Sequence, residues 1–383
     1  MKPKHILVYC PVFLPQQSGY SHAFVQLIDT LLEQGVQVDV VTPELLEAGR
    51  EEPFQHPLLR IFRYTPKLSV WLLGLLYSSG KRAGFINKLN DAYSYDMVWV
   101  ETGDDPLLLA SLNRKVLHKT VVRFHATSDT EYLLVSKAKK YRIRKFVWRN
   151  LSAYNIRFVS ATNAYHLHFA MQYLLKSASI VGAGVCINTV NKAVSNRSAI
   201  HAAKQFVMLG RMDREGYKQK GFDLVLEALP LVNETALRLD AKLTIIGSGE
   251  YANQFKKEVS QYAWVNHIEE LPHEHIASIL QKSDVVLMPS RYEGLSIFAL
   301  EALGAGLGFV MSDVGGLRDL WANNGWLVTP LNGQELAKSM IEAMQDEHLL
   351  FKQQQSESLA QQTFTKQVQW QQFLKIWEGV QNG

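Results

Sequence analysis

Short apolar runs alternate with amphipathic stretches along the whole chain. Residues 5–10, His-Ile-Leu-Val-Tyr-Cys, form one such run, and Gly19 opens a helical pattern that lasts to about Gln34 and stops at Gly35. Further strands are predicted at 36–42, 59–64, 97–101, 119–125, 156–160 and 178–182. Strands that are apolar on both faces and separated by helices predict a parallel sheet covered on two sides. The alternation restarts after residue 200, with strands at 205–210, 243–247, 285–288 and 308–311 and a helix through Leu224 to Leu229. Asn188 to Ala203, polar and poor in helix signals, is a plausible linker. From about Leu359 the tail reads as helix, with Phe364, Val368, Phe373 and Trp377 near helical spacing. The predicted fold class is α/β: two doubly wound, Rossmann-like domains, 1–187 and 188–360, facing a central cleft. Ligands of such sheets sit at the carboxyl ends of strands, where the strand order reverses.

A chain of 383 residues suits two domains, and 47% hydrophobic with 20% charged residues is an ordinary globular composition. The longest strongly apolar run, Trp71 to Tyr77, is too short to span a bilayer, which takes about 20 residues. Met1 leads into a six-residue apolar strand, shorter than a secretory leader core, and Cys10 and Cys186 imply no disulfide framework. A reduced, cytoplasmic setting is the expectation.

The net charge of +4 hides an asymmetry: between Glu131 and Asp213 there are thirteen Lys or Arg and no acidic residue, with seven of the thirteen between Lys137 and Arg149. A solvated helix face is one reading. An anionic partner is the other, and Phe146, Val147 and Trp148 among the cations favour a lipid surface. No nucleic-acid module is recognisable. The stretch 67–82, apolar with basic ends, points the same way.

Candidate chemistry concentrates near residue 300. The helix from Ser296 to about Ala305 is apolar on every side except Glu301. A buried carboxylate needs a partner, which a structural ion pair or the 2′,3′-hydroxyls of a ribose would supply. Eight residues earlier Glu293 precedes Gly294, and the free N–H groups of the helix start lie beside it. Gly210-Arg211 ends one strand and Lys220-Gly221 begins the next helix, a pair of cations suited to a diphosphate, with Lys218 competing for the role. The chain contains no Asp-x-Asp triplet, so fixed cations and helix dipoles, and no metal, are expected to stabilise the leaving group. Gly315-Gly316 and Ser18-Gly19 stand at other strand-to-helix turns, and His125 ends the strand beginning at Val121. Gly247-Ser-Gly249 with Ala252 approximates a dinucleotide fingerprint, but it follows the second strand of its half.

Together these residues resemble the family 4 retaining glycosyltransferases of the GT-B fold, in family order from Ile6 to about Gln345. The resemblance runs through the Gly19 loop, His125, Gly182 to Cys186, Gly210-Arg211, Lys220 to Asp223, Ile245 to Gly249 and Pro289-Ser290. It ends with Glu293, Glu301 and Gly315-Gly316. It implies that Arg211 and Lys220 hold the donor diphosphate, that Glu301 takes the ribose, and that Glu293 with the main chain of Gly294, Leu295 and Ser296 holds the sugar. Gly247 joins these donor-side residues, and Gly19 leaves room for diphosphate and acceptor. His125 and Glu293 are the catalytic candidates. It further implies an acceptor-side first domain, a donor-binding second domain, a C-terminal helix of about 361–383 packed on the first, and no metal. Two departures are Ala183-Gly-Val-Cys186, where Asn-Gly-x-Asp is common, and a longer stretch between Arg211 and Lys220. The expected reaction moves a hexose-type sugar from a UDP- or GDP-sugar to a lipid-linked or cell-surface glycan. This places the chain in polysaccharide or lipopolysaccharide biosynthesis, possible membrane contact being through 67–82 and 137–149. A sugar-nucleotide epimerase, a phosphorylase and a non-catalytic nucleotide-sugar-binding protein are the alternatives.

Overall fold

Among the described residues, thirteen short strands, most of them apolar at their centres, pair in parallel in two sheets. The computed structural model describes residues 2–14, 19–44, 54–65, 72–101, 106–125, 146, 156–175, 180–190 and 204–383. The chain divides into two compact units, Met1–Thr189 with Lys366–Gly383, and Val190–Thr365. The basic stretch 137–149, apart from Phe146, and residues 66–71 lie outside the described residues.

The first unit holds β1 (His5–Tyr9), β2 (Gln37–Pro43), β3 (Leu59–Tyr64), β4 (Met97–Glu101), β5 (Thr120–Phe124), β6 (Phe158–Ala161) and β7 (Gly182–Val185). Their order is β3-β2-β1-β4-β5-β6-β7, so the winding reverses between β1 and β4. One face packs on the helix Gly19–Glu33 and the C-terminal helix Lys366–Asn382, through Phe24, Leu27, Trp99, Phe373 and Trp377. The other packs on the helix Leu72–Tyr93 through Ala83, Ile86 and Leu89. The last strand lies at Gly182–Val185 and not at 178–182. Its signal is weak because the strand is glycine-rich. A Cβ on Gly184 would sit 2.8 Å from Ile376 Cγ1, so the missing side chains let the C-terminal helix approach.

The second unit holds β8 (Gln205–Leu209), β9 (Lys242–Ile246), β10 (Val265–Ile268), β11 (Val285–Met288), β12 (Gly308–Ser312) and β13 (Gly325–Val328). The order β10-β9-β8-β11-β12-β13 reverses between β8 and β11. The two edge strands, β10 and β13, are the ones the apolar pattern does not announce, because an edge needs only one covered face. The predicted tail helix is two helices, Leu349–Thr363 and Lys366–Asn382. Val190 N–H donates to the Phe364 carbonyl at 2.8 Å, so the strands of chain entering and leaving this unit lie side by side.

Candidate functional site

At the reversal point of the second unit, β8 ends at Leu209 and β11 at Met288, which places Gly210-Arg211 and Pro289-Ser290 at the same sheet edge. Glu293 follows and is buried, at 7% exposure. Its Oε1 accepts from Lys220 Nζ at 2.6 Å and from Ser290 Oγ at 2.8 Å. The lysine stem lies over Gly210, where a Cβ would come within 2.7 Å of Lys220 Cγ. Gly315, at φ +48°, packs so closely on the Glu293 carbonyl that any Cβ there would collide with it. Gly316 N–H donates to that carbonyl at 3.2 Å. The glycine pair therefore fixes the backbone of Glu293.

The structure separates the two competing lysines. Lys218 pairs with Asp223 at 2.6 Å, and Arg291 forks onto the same carboxylate at 2.7 and 2.9 Å. Burial pushes the Asp223 carboxyl up, yet the Arg291 and Lys218 hydrogen bonds outweigh it and hold the group below the usual range. Lys220 is not at a helix start, as the sequence suggests. It ends a short helix, Gly216–Lys220, formed by the extra residues after Arg211, and Gly221 at φ +78° turns the chain into the helix Phe222–Arg238. Arg211 is largely exposed and pairs with Asp213 at 2.6 Å, whose other oxygen accepts from Glu215 and Gly216 N–H.

Ser296 caps the helix Ile297–Gly304, accepting from Ala299 N–H at 3.4 Å, and Ile297 and Phe298 have no acceptor within the helix. Leu295 is buried, and Gly294 is half-buried. Along that helix Glu301 alone is not buried, and its Oε1 accepts from His273 Nε2 at 2.9 Å. The hydrogen bond to Glu301 raises the His273 imidazole above its ordinary value, against the opposing effect of burial. The isolated carboxylate thus has a partner, contributed by the first residue of the helix His273–Lys282. Gly247 touches protein main chain: a Cβ would strike the Gly210 carbonyl, while its own carbonyl accepts from His267 Nε2 at 2.9 Å. Gly249, at φ +141°, likewise lies on the backbone of Met212 and Asp213. The fingerprint-like glycines join two adjacent loops and need no dinucleotide to explain them.

In the first unit His125 follows β5 directly, is buried, and donates through Nε2 to Glu101 Oε2. Glu101 is fully buried at the end of β4 and stands opposite Arg123 in the strand register. Its Oε1 accepts from Arg123 Nη1 at 3.0 Å and from Trp99 Nε1 at 2.8 Å. Arg123 Nη2 also reaches the Cys186 carbonyl at 2.6 Å and Asn188 Oδ1 at 2.9 Å. Burial pushes the Glu101 carboxyl up, but His125 and Arg123 bring it down to about 2. Burial is the main cause that lowers His125, so the pair at neutral pH is a carboxylate and a neutral imidazole. The His125 ring meets Phe24 edge to face, 5.4 Å between centroids, on the helix that Gly19 begins. Ser18 and the surroundings of Gly19 lie outside the described residues. Glu101, Arg123 and His273 escape the sequence reading. Glu101 carried a signal, a carboxylate closing an apolar strand, of the kind that singles out Glu301.

Two doubly wound sheets, each with polar side chains at its reversal point, define the GT-B architecture. The chain is similar over 99% of its length, and 99% of the other, to sucrose-phosphate synthase from Thermosynechococcus elongatus, with a TM-score of 0.78 at 15% identity, a likeness of fold. Residues 193–363, nearly all of the second unit, match the family model of glycosyl transferases group 1. It is 31% identical over 149 residues to an uncharacterized glycosyltransferase of Methanocaldococcus jannaschii, covering 37% of this chain and 36% of that one. It is 24% identical over 321 residues to the amylovoran biosynthesis glycosyltransferase AmsK of Erwinia amylovora, covering 80% and 72%. The match thus spans about a third of the first relative and most of the second.

Proposed function

We propose that this chain is a glycosyltransferase that moves a hexose-type sugar from a nucleotide diphosphate sugar, UDP before GDP, to a lipid-linked or cell-surface glycan, with retention of configuration and without a metal. The observation that carries the reading is the meeting of Lys220 with buried Glu293 at the reversal point of the second sheet. When the donor arrives, Lys220 turns with Arg211 to the diphosphate. Glu293 and the main chain of Gly294, Leu295 and Ser296 take the sugar hydroxyls. Glu301 exchanges His273 for the ribose. The bond from the anomeric carbon to the diphosphate oxygen breaks, and its electron pair leaves on the nucleotide. The acceptor hydroxyl oxygen bonds that carbon from the same side, and its proton passes to the departing diphosphate oxygen. Fixed cations stabilise the departing charge without reorganising, which is the largest single contribution such a site makes. Neutral His125 is the catalytic candidate of the first unit.

The relative named for amylovoran biosynthesis supports a biosynthetic transfer. No helix among the described residues is long and apolar enough to cross a membrane. Contact with an anionic inner membrane face through 67–82 and 137–149 is part of the proposal, and liposome co-sedimentation tests it: equal recovery with neutral and anionic vesicles removes the membrane from the reading. The central test incubates the protein with UDP-, GDP- and dTDP-sugars in EDTA, with and without lipid extract. Nucleotide release that depends on the extract is expected. Release from no donor in the presence of extract overturns the transferase assignment, and sugar isomerisation without release identifies an epimerase.

A further inference from the structure

The chain from Ser290 to Ser296 has no regular structure of its own, so its shape is set by what it is tied to. The Gly315-Gly316 backbone ties Glu293 from one side. Arg291 supplies a second tie. Besides its fork onto Asp223, its Nη1 donates to the Lys218 carbonyl at 2.6 Å and its main-chain N–H donates to the Gln219 carbonyl at 2.8 Å. Gln219 Nε2 donates back to the Tyr292 carbonyl at 3.4 Å. The next contact along both segments is Lys220 with Glu293. Gly221 closes the series, since a Cβ there would strike the Pro289 carbonyl. The short helix Gly216–Lys220 and the stretch 289–293 therefore lie side by side, and the Lys220–Glu293 pair is one contact in that row.

A helix of five residues cannot hold itself. Asp223 offers the fixed point. It stands in the first turn of the helix Phe222–Arg238, whose apolar face lies in the core of the second unit. Its carboxylate receives one cation from each segment, Lys218 and Arg291. Exposed ion pairs contribute little, but this fork is bidentate, with 23% of the arginine side chain and 16% of the aspartate exposed. An acid in a first turn favours its own helix, yet that does not account for a guanidinium arriving from residue 291.

We propose that Asp223, acting through Arg291, is a positioning residue that sets the spacing of Lys220 and Glu293, and with it the spacing of the diphosphate and sugar contacts of the donor. The ligand named here rests on the donor reading above, whereas the spacing of the two side chains can be tested without any ligand.

The first measurement is calorimetric binding of UMP, UDP and UDP-glucose, and of GMP, GDP and GDP-mannose, to the full chain. Asp223→Asn should weaken diphosphates and nucleotide sugars about 10-fold, the effect of one charge-assisted hydrogen bond, and leave monophosphates within about 2-fold. Arg291→Lys, which keeps the charge and loses the fork, should fall between wild type and Asp223→Asn. In a Lys220→Met background Asp223→Asn should cost less than about 2-fold, because a residue that acts through the lysine is not additive with its loss. Equal losses for mono- and diphosphates, or additive losses in the double variant, overturn the proposal. The second measurement is competitive acetylation of Lys220 without nucleotide, read by mass spectrometry. Reactivity should rise in Asp223→Asn and Arg291→Lys, and unchanged reactivity in both overturns the proposal. If Asp223→Asn does not fold, Arg291→Lys decides by both measurements. Failure of the donor reading shows differently: the wild type binds none of the six nucleotides, while Lys220 still gains reactivity in the variants.

Discussion

Lys220 Nζ and Glu293 Oε1 lie 2.6 Å apart, so the cation assigned to the donor diphosphate is held by the carboxylate assigned to the donor sugar. The hydrogen bond sets the direction of both side chains. Lys220→Met strands a buried carboxylate beside Ser290, and the expected loss is about 1.5–3 kcal/mol of stability, read by urea unfolding. Donor kcat/KM should fall at least ~100-fold, as for removal of one electrostatic stabiliser of the leaving group. Unchanged turnover in a folded Lys220→Met variant would falsify its diphosphate role.

Glu301 and His273 form the second internal pair, and here pH is the lever. The ribose and the imidazolium compete for one carboxylate, so donor affinity should weaken as pH drops and His273 gains its proton. Because Glu301 raises the histidine in the folded state, the pair stabilises the fold fully below the ordinary value of 6.5, and this contribution is lost as pH rises through the raised value. His273→Asn should flatten the pH dependence of donor binding, while Glu301→Ala should weaken binding about 10-fold or more at every pH. A pH profile identical in wild type and His273→Asn rules out the competition.

The Glu101 cluster should govern acid stability of the first unit. Its carboxyl is depressed to about 2 from an ordinary value of 4.5, so it stabilises above that ordinary value and the contribution fades as pH falls towards 2. In Glu101→Gln the unfolding midpoint should lose this part of its acid dependence. The neutral amide leaves Arg123 without its carboxylate, so stability at pH 7 should also drop. Chemical denaturation from pH 2 to 7 reads both effects.

Gly315→Ala tests whether the backbone of Glu293 matters. A methyl group there meets the Glu293 carbonyl, and a left-handed residue with a Cβ is itself strained by about 1 kcal/mol or more. Donor affinity should fall even if the protein stays folded, because the carboxylate moves with its carbonyl. Nucleotide-sugar titration of a variant with native circular dichroism is the measurement.

Interior strands announce themselves in the sequence, since β1, β4, β11 and β12 are apolar through their central residues. β10, Val265-Asn-His-Ile268, does not, because it closes an edge and mixes polar with apolar positions. In the second unit the glutamates, Lys220 and the glycines were legible as candidates from types and spacing. Their partners were not: His273 lies 28 positions before Glu301, and only the fold of the helix His273–Lys282 brings it there. Arg123 and Glu101 become neighbours through the β4–β5 register, which the apolar pattern leaves undetermined. Arg82 reads in the sequence only as a basic end of a segment, since its hydrogen bond to Tyr9, itself beside Tyr64, depends on two strands that are not adjacent.

The hydrogen bond from Val190 to Phe364 has a use in engineering. The second unit begins and ends at one point, so it is an inserted cassette with a single seam. Swapping Val190–Thr365 for the same span of another glycosyltransferase alters two junctions that already touch and leaves the seven-stranded sheet and its C-terminal helix untouched. On the proposed reading, chimaeras cut at this seam should exchange donor preference independently of acceptor preference, which assaying each chimaera against both parents' donors and acceptors checks.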